Sequence, residues 1–438
     1  MCRHAALALI VVAGRALAQS PPQPPGDQVL RMLVAEALEA RPELSQALAQ
    51  TRAAKERVPQ AQAWPEPMLQ VGVQNDSFTR WQVGTMETSW VSFMAAQTFP
   101  FPGKLELRGK IAESDVRMSE LNADRIRLST IAEVRRGYLA LQLVRERAAL
   151  LRRLLELSAR LVEVARIRLE SGAGPQSEML RARVELSRLT QRKYLLEAED
   201  LIQLQALNRL RGQSLDTGIS TATALSSMPM PELLSEEQFL ALARQRSPEL
   251  LALEAAVGRS QSATALSRRS YFPDISVSAG VMLRGRLDPM WAINLGVPLP
   301  VFAAARQSRA IAEFEATAAA DRLGVTRVEQ VLALRARQRS ASMAALRAVW
   351  TNYQEGLLSQ ATAAAESTTV QYEAGRATLS SVLEANAVSI TEAEAALQVL
   401  AEAWGLAISQ DDLTLSDGGG LTTPRANGKT TAAAGSGM

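Results

Sequence analysis

Two hydrophobic periods divide the chain. Leu69, Val71 and Val73 alternate with Gln70, Gly72 and Gln74, and Val91, Phe93 and Ala95 alternate with Ser92, Met94 and Ala96. The same period of two returns at Ile275, Val277, Ala279 and Val281, and again at Trp291, Ile293, Leu295 and Val297. Segments of about ten residues with one apolar and one small or polar face fit membrane β-strands better than strands of a water-exposed sheet. Four such strands cannot close a barrel, whereas three chains supply twelve and leave no edge open to lipid.

Between the strands the period is helical. Lys104 to Ser171 contains no proline, and Leu143, Leu150, Leu154, Leu157 and Leu161 follow a coiled-coil seam. This predicts one helix of roughly 100 Å at 1.5 Å per residue, a length far outside the usual range for a globular domain. Phe302 to Ala374 predicts a second helix of similar length. Shorter helices return along Pro175 to Arg211 and Glu43 to Ala63, and along Arg376 to Ile408 and Glu249 to Arg269. Leu379, Leu383, Ile390, Leu397 and Leu400 carry the heptad of the third of these.

The chain also repeats itself. Pro42-Glu43-Leu44 matches Pro248-Glu249-Leu250, and Pro100 and Pro102 match Pro298 and Pro300. Leu169-Glu170-Ser171-Gly172 matches Tyr372-Glu373-Ala374-Gly375, and Leu180 then matches Leu383. Landmarks kept in order point to two tandem copies of helix-strand-strand-long helix-helix, at 27–212 and 233–416, joined by a linker at 213–232. The fold class expected is mainly α with a membrane β-barrel portion.

Composition narrows the chemistry. Residues 1–18 read as a secretory signal, with Arg3, an apolar run from Ala5 to Gly14, and Ala16-Leu17-Ala18 before Gln19. The single cysteine, Cys2, and the single histidine, His4, fall inside it. The mature chain then has no means of Ser-His or Cys-His catalysis, a Cys/His zinc site or a disulfide. The formal net charge is +3, two units of it from Arg3 and Arg15 in the leader, which is no electrostatic footprint for nucleic acid. After the leader no run of about 18 apolar residues occurs, so a membrane crossing must use strands. The Gly-, Thr- and Ala-rich stretch 417–438 is expected to be a disordered tail.

With these residues in view the chain resembles the outer-membrane factor family, the TolC-like exit ducts of bacterial efflux pumps and type I secretion systems. The resemblance covers about residues 27–415, through the duplication, the proline-bounded strand pairs and the two glycine-marked helix turns. It implies a homotrimer in the cell outer membrane, with a twelve-strand β-barrel on a long α-helical barrel and most of the chain in the periplasm. It also implies a periplasmic adaptor (membrane fusion) protein and an inner-membrane RND-type transporter as partners.

The turns Gly172-Ala173-Gly174 and Gly375-Arg376-Ala377 resemble the family's tunnel tips, where adaptor hairpins dock. Tyr372 and Glu384 match positions at the constricted inner end of the tunnel, and Glu178 an acidic position on the first hairpin. Ala173 stands where the family often has a bulkier aliphatic residue, and Ala377 replaces an arginine. The stretch Gln97-Thr98-Phe99-Pro100-Phe101-Pro102-Gly103-Lys104, after Trp64-Pro65-Glu66-Pro67-Met68, resembles the branch serving heavy-metal efflux pumps.

Met68, Met86, Met94, Met282 and Met290 lie in or beside the strands, and thioethers suit soft ions such as Cu(I). Methionine is also ordinary apolar filler, so none is assigned as a metal ligand. The reading is a passive duct with neither cofactor nor catalytic residue, expected to carry heavy-metal cations. Drug efflux or type I protein secretion through the same fold is the alternative within transport. A periplasmic adaptor or coiled-coil scaffold is the alternative of another class, and an enzyme working through carboxylates the third.

Overall fold

The computed structural model describes residues 27–221 and 223–415. The expected signal segment 1–18 and tail 417–438 lie outside those residues. In chain order the elements are α1 (Gln28–Ala40), α2 (Pro42–Gln62), β1 (Met68–Gln74), β2 (Trp90–Phe99), α3 (Lys104–Glu170) and α4 (Gln176–Leu210). They are followed by α5 (Glu236–Arg246), α6 (Pro248–Arg269), β3 (Ile275–Arg284), β4 (Leu287–Gly296), α7 (Gln307–Asn352), α8 (Leu358–Glu373) and α9 (Leu379–Asp412). The protein is mainly helical, with one small antiparallel sheet.

The leading helices read from sequence, Glu43 to Ala63 and Glu249 to Arg269, are α2 and α6, but each is preceded by a further helix, α1 or α5, so the expected order of one helix before each strand pair needs correcting. The breaks fall before Pro42 and Pro248. Proline is welcome as the first helical residue, but its ring pushes the preceding residue into extended backbone. Arg41 (φ −72, ψ 111) and Ser247 (φ −67, ψ 116) both adopt it. Asp27 caps α1 by accepting from the Val29 and Leu30 N–H groups at 3.0 and 3.2 Å, and Tyr138 of α3 donates to its other oxygen at 2.6 Å.

α3, 67 residues and about 100 Å long, is the central column. α2 and α4 pack along it, and their ends meet near its middle. There Leu30 and Leu33 of α1 close over Val134, Tyr138 and Leu141 of α3 and Leu207 of α4. The second half repeats the arrangement with Phe239 of α5 against Leu250, Val328 and Leu332. α6 and α9 lie against α3 as well, so the two halves share one helical layer.

The second long helix departs from expectation in two ways. It begins at Gln307 rather than Phe302, because Val301 stands where Gly103 stands in the first half. Gly103 takes φ +84 and turns the chain straight from Pro102 into α3, a conformation a β-branched residue resists. Residues 301–306 spend the distance in tight turns instead. Further on, a π-turn at Tyr353–Leu357 separates α7 from α8, with Gly356 out of helical backbone (φ 158, ψ −16).

The strands form one antiparallel sheet in the order β1-β2-β3-β4, and β2 pairs with β3 across the two halves. Val71, Phe93, Val281 and Trp291 stand in one row across it, and Leu69, Ala95, Ala279 and Ile293 in the next. This apolar face is open, with Leu69 71%, Trp291 76% and Ile293 66% exposed. Among the described residues no helix is long and apolar enough to cross a membrane.

Sheet and helices join at a buried ion pair. Lys104 at the start of α3 donates to Asp274 Oδ1 and to the Phe272 carbonyl, both at 2.7 Å. The Phe101 N–H donates to the same carboxylate oxygen at 2.9 Å, and the Phe101 and Phe272 rings stack at 4.6 Å.

Candidate functional site

The far end of the helical layer, where α3 turns into α4 and α8 into α9, carries every tip residue singled out from sequence. Both turns are built alike. After α3, the Ala173 and Gly174 N–H groups donate to the Arg168 carbonyl at 2.8 and 3.0 Å; after α8, those of Arg376 and Ala377 donate to the Gln371 carbonyl at 2.8 and 3.2 Å. Such closure needs a residue in the left-handed region. Gly172 (φ +72) and Gly375 (φ +75) supply it.

Gly172, Ala173, Gly375 and Arg376 are exposed, while Gly174 and Ala377 are half-buried. A Cβ built on Gly172 would meet nothing within 4 Å. The turn surface is therefore shallow and uncovered. Beneath it Leu161, Ala165, Ala182, Leu379 and Val382 pack around Tyr372, and Ala377 packs against that cluster.

Tyr372 is wholly buried. Its hydroxyl donates to Glu178 Oε2 of α4 at 3.4 Å, so it joins the second hairpin to the first. Burial, and then the neighbouring Glu178 charge, push its pKa above the ordinary tyrosine value, which keeps it a donor.

Arg168, which the sequence reading passed over, sits at the centre of the same cluster. Its guanidinium lies 5.0 Å from the Tyr372 ring centroid and donates to the carbonyls of Tyr372 at 3.2 Å and Ala173 at 3.4 Å. Its Nε is buried with no acceptor. A basic residue in the last turn of α3, four before the turn glycine, was the available signal.

Above this cluster Arg181 donates to Ser380 Oγ at 3.1 Å, and Arg192 pairs with Glu394. Glu384 stands apart. It is exposed on α9 and makes no ion pair or hydrogen bond among the described residues. One chain thus brings Glu178, Tyr372 and both turns around Arg168 and leaves Glu384 facing solvent.

Residues 33–213 match the sequence model for outer membrane efflux proteins. Over that stretch the chain is similar to the outer membrane efflux protein family. Proteins of this family are passive channels, not enzymes. Among curated relatives, the cobalt-zinc-cadmium resistance protein CzcC of Cupriavidus metallidurans is 26% identical over 291 residues, 65% of this chain and 67% of the relative.

Among solved structures, CusC superposes with a TM-score of 0.73 at 17% identity, covering 89% of this chain and 92% of that one. The Campylobacter jejuni CmeC outer membrane channel gives 0.72 at 14% identity, covering 88% and 85%. At these identities the likeness is one of fold. It spans sheet and helices together.

Proposed function

We propose that this protein is the outer-membrane exit duct of a tripartite pump for heavy-metal cations. Three copies close twelve strands into a barrel, and their helices continue it as a tunnel through the periplasm. The observation that carries the reading is the sheet. Its apolar face is open, and β1 and β4 end it with unpaired backbone edges that lipid cannot satisfy. Each chain contributes two copies of one unit, 27–212 and 233–416, with the joint held at Lys104 and Asp274.

The turns at Gly172-Ala173-Gly174 and Gly375-Arg376-Ala377 receive a periplasmic adaptor, which couples the duct to an inner-membrane RND-type transporter. Glu178 and Tyr372 hold the tips together at rest. Glu384, unpaired and exposed, gives three carboxylates to the tunnel's inner end and favours cations there. The metal cargo is supported by the kinship with a cobalt-zinc-cadmium resistance protein and by the Gln97–Lys104 stretch.

Deleting the gene tests this reading. It should sensitise the host to cobalt, zinc, cadmium, copper or silver more than to organic drugs. Sensitivity to organic drugs alone would retire the metal cargo and leave a drug duct of the same fold.

A further inference from the structure

The strand register places four thioethers, Met68, Met94, Met282 and Met290, on the face of the sheet opposite the apolar one, and the last three stand in adjacent rows of β2, β3 and β4. Met282 of β3 and Met290 of β4 are direct cross-strand partners, at the last regular pair before a bulge. Directly opposite side chains in an antiparallel pair start about 5 Å apart at Cβ. Met94 of β2 belongs to the neighbouring row, opposite Gly280. A Cβ on Gly280 would fall 2.7 Å from Met94 Cγ, so the Met94 side chain lies over β3 at Gly280, two residues along the same face from Met282. Gly280 is the space that lets it do so.

The surroundings separate these residues from apolar filler. Their rows are otherwise small or polar, with Gly72 and Ser92 beside Met282 and Met290, and Gln70, Gly280 and Ala292 beside Met94. With the apolar face toward lipid, this face lines the duct. Burying apolar area does not explain long thioether side chains on a water-facing wall. Cys2 and His4 lie outside the described residues, so methionine is the only soft donor among them. Neutral thioethers select Cu(I) or Ag(I) over borderline or hard divalent ions.

We propose that Met94, Met282 and Met290 form a transit site for a soft monovalent cation, Cu(I) or Ag(I), on the inner wall of the barrel, one per chain. Three uncharged ligands hold such an ion loosely enough to pass it on. The site's use in efflux rests on the metal-cargo reading above; its existence as a binding site does not.

Ag(I) binding to the purified full-length protein, measured by equilibrium dialysis in chloride-free buffer with metal analysis, tests it. The wild type should bind one more Ag(I) per chain than the triple variant Met94→Leu, Met282→Leu, Met290→Leu, or bind it about tenfold more tightly. Leucine conserves side-chain volume, so the fold is kept. The helical variant Met118→Leu, Met179→Leu should bind like wild type, and Zn(II) should not compete.

Equal Ag(I) binding by the triple variant and the wild type overturns the site, as does a wild type that binds none. Loss of metal tolerance on gene deletion, combined with unchanged binding in the triple variant, sinks the site and leaves the metal duct. Lost binding in that variant, with metal tolerance unaffected by deletion, keeps the site and sinks the cargo reading.

Discussion

The Arg168 guanidinium lies over the ring of Tyr372, 5.0 Å from its centroid, and donates to that residue's own carbonyl at 3.2 Å. One side chain from the first hairpin thus grips the last turn of the second by its ring and its backbone at once. Removing the Tyr372 hydroxyl forfeits only the 3.4 Å bond to Glu178, worth about 1 kcal/mol. Removing the Arg168 guanidinium forfeits two carbonyl contacts and a cation–π contact worth a further ~1 kcal/mol. Single-channel conductance in planar bilayers should therefore rise in the order wild type, Tyr372→Phe, Arg168→Ala. Equal conductance in all three would show that these contacts do not hold the channel shut.

The proposed adaptor docking can be tested apart from closure at Gly172, where a Cβ would meet nothing within 4 Å. Gly172→Leu costs only the left-handed backbone penalty, about 1–2 kcal/mol, and should leave assembly and conductance intact. It should abolish efflux by filling the shallow turn surface. Gly375→Leu should do the same, with some disturbance of Arg168, whose Nη1 lies 3.5 Å from the added Cβ. Full resistance in cells carrying Gly172→Leu would mean that the turn is a helix end and nothing more.

The joint of sheet and helices makes a stability prediction. Lys104 has a side chain only 9% exposed and is neutralised by Asp274. Asp274→Ala leaves that ammonium with the Phe272 carbonyl alone, and stranding a buried charge costs on the order of 3 kcal/mol. The assembled protein should unfold several degrees lower on heating in detergent. Asp274→Asn, which still accepts from Phe101, should fall between. No shift in either variant would show that the pair does not secure the joint.

Much of this architecture was legible because it is periodic. Period two at Leu69–Val73 and Trp291–Val297 and the leucine seam of α3 each report a face, and a face is what burial selects. What escaped was contact between distant segments. Lys104 closes a proline-rich stretch, and nothing local in the sequence points to Asp274. Arg168 looked like one more solvated charge until the fold set it against Tyr372. The break at Gly356 is hidden because a lone glycine inside a helical pattern does not by itself mark an end, whereas proline at 42 and 248 itself marks the breaks before it.

Glu384 is exposed on α9 with no ion pair among the described residues, as its proposed action on ions in the tunnel requires. Glu384→Ala should reduce cation preference, read as a reversal potential closer to zero across a salt gradient, with little change in conductance. An unchanged reversal potential would place Glu384 away from the ion path.

Everything above turns on the edges of one sheet. A chain with four strands and two open edges must be completed by other copies before lipid can accept it. Native mass of the detergent-solubilised protein measures this directly. Three chains per particle is the result the exit duct requires. A stable single chain that keeps all four strands would contradict it.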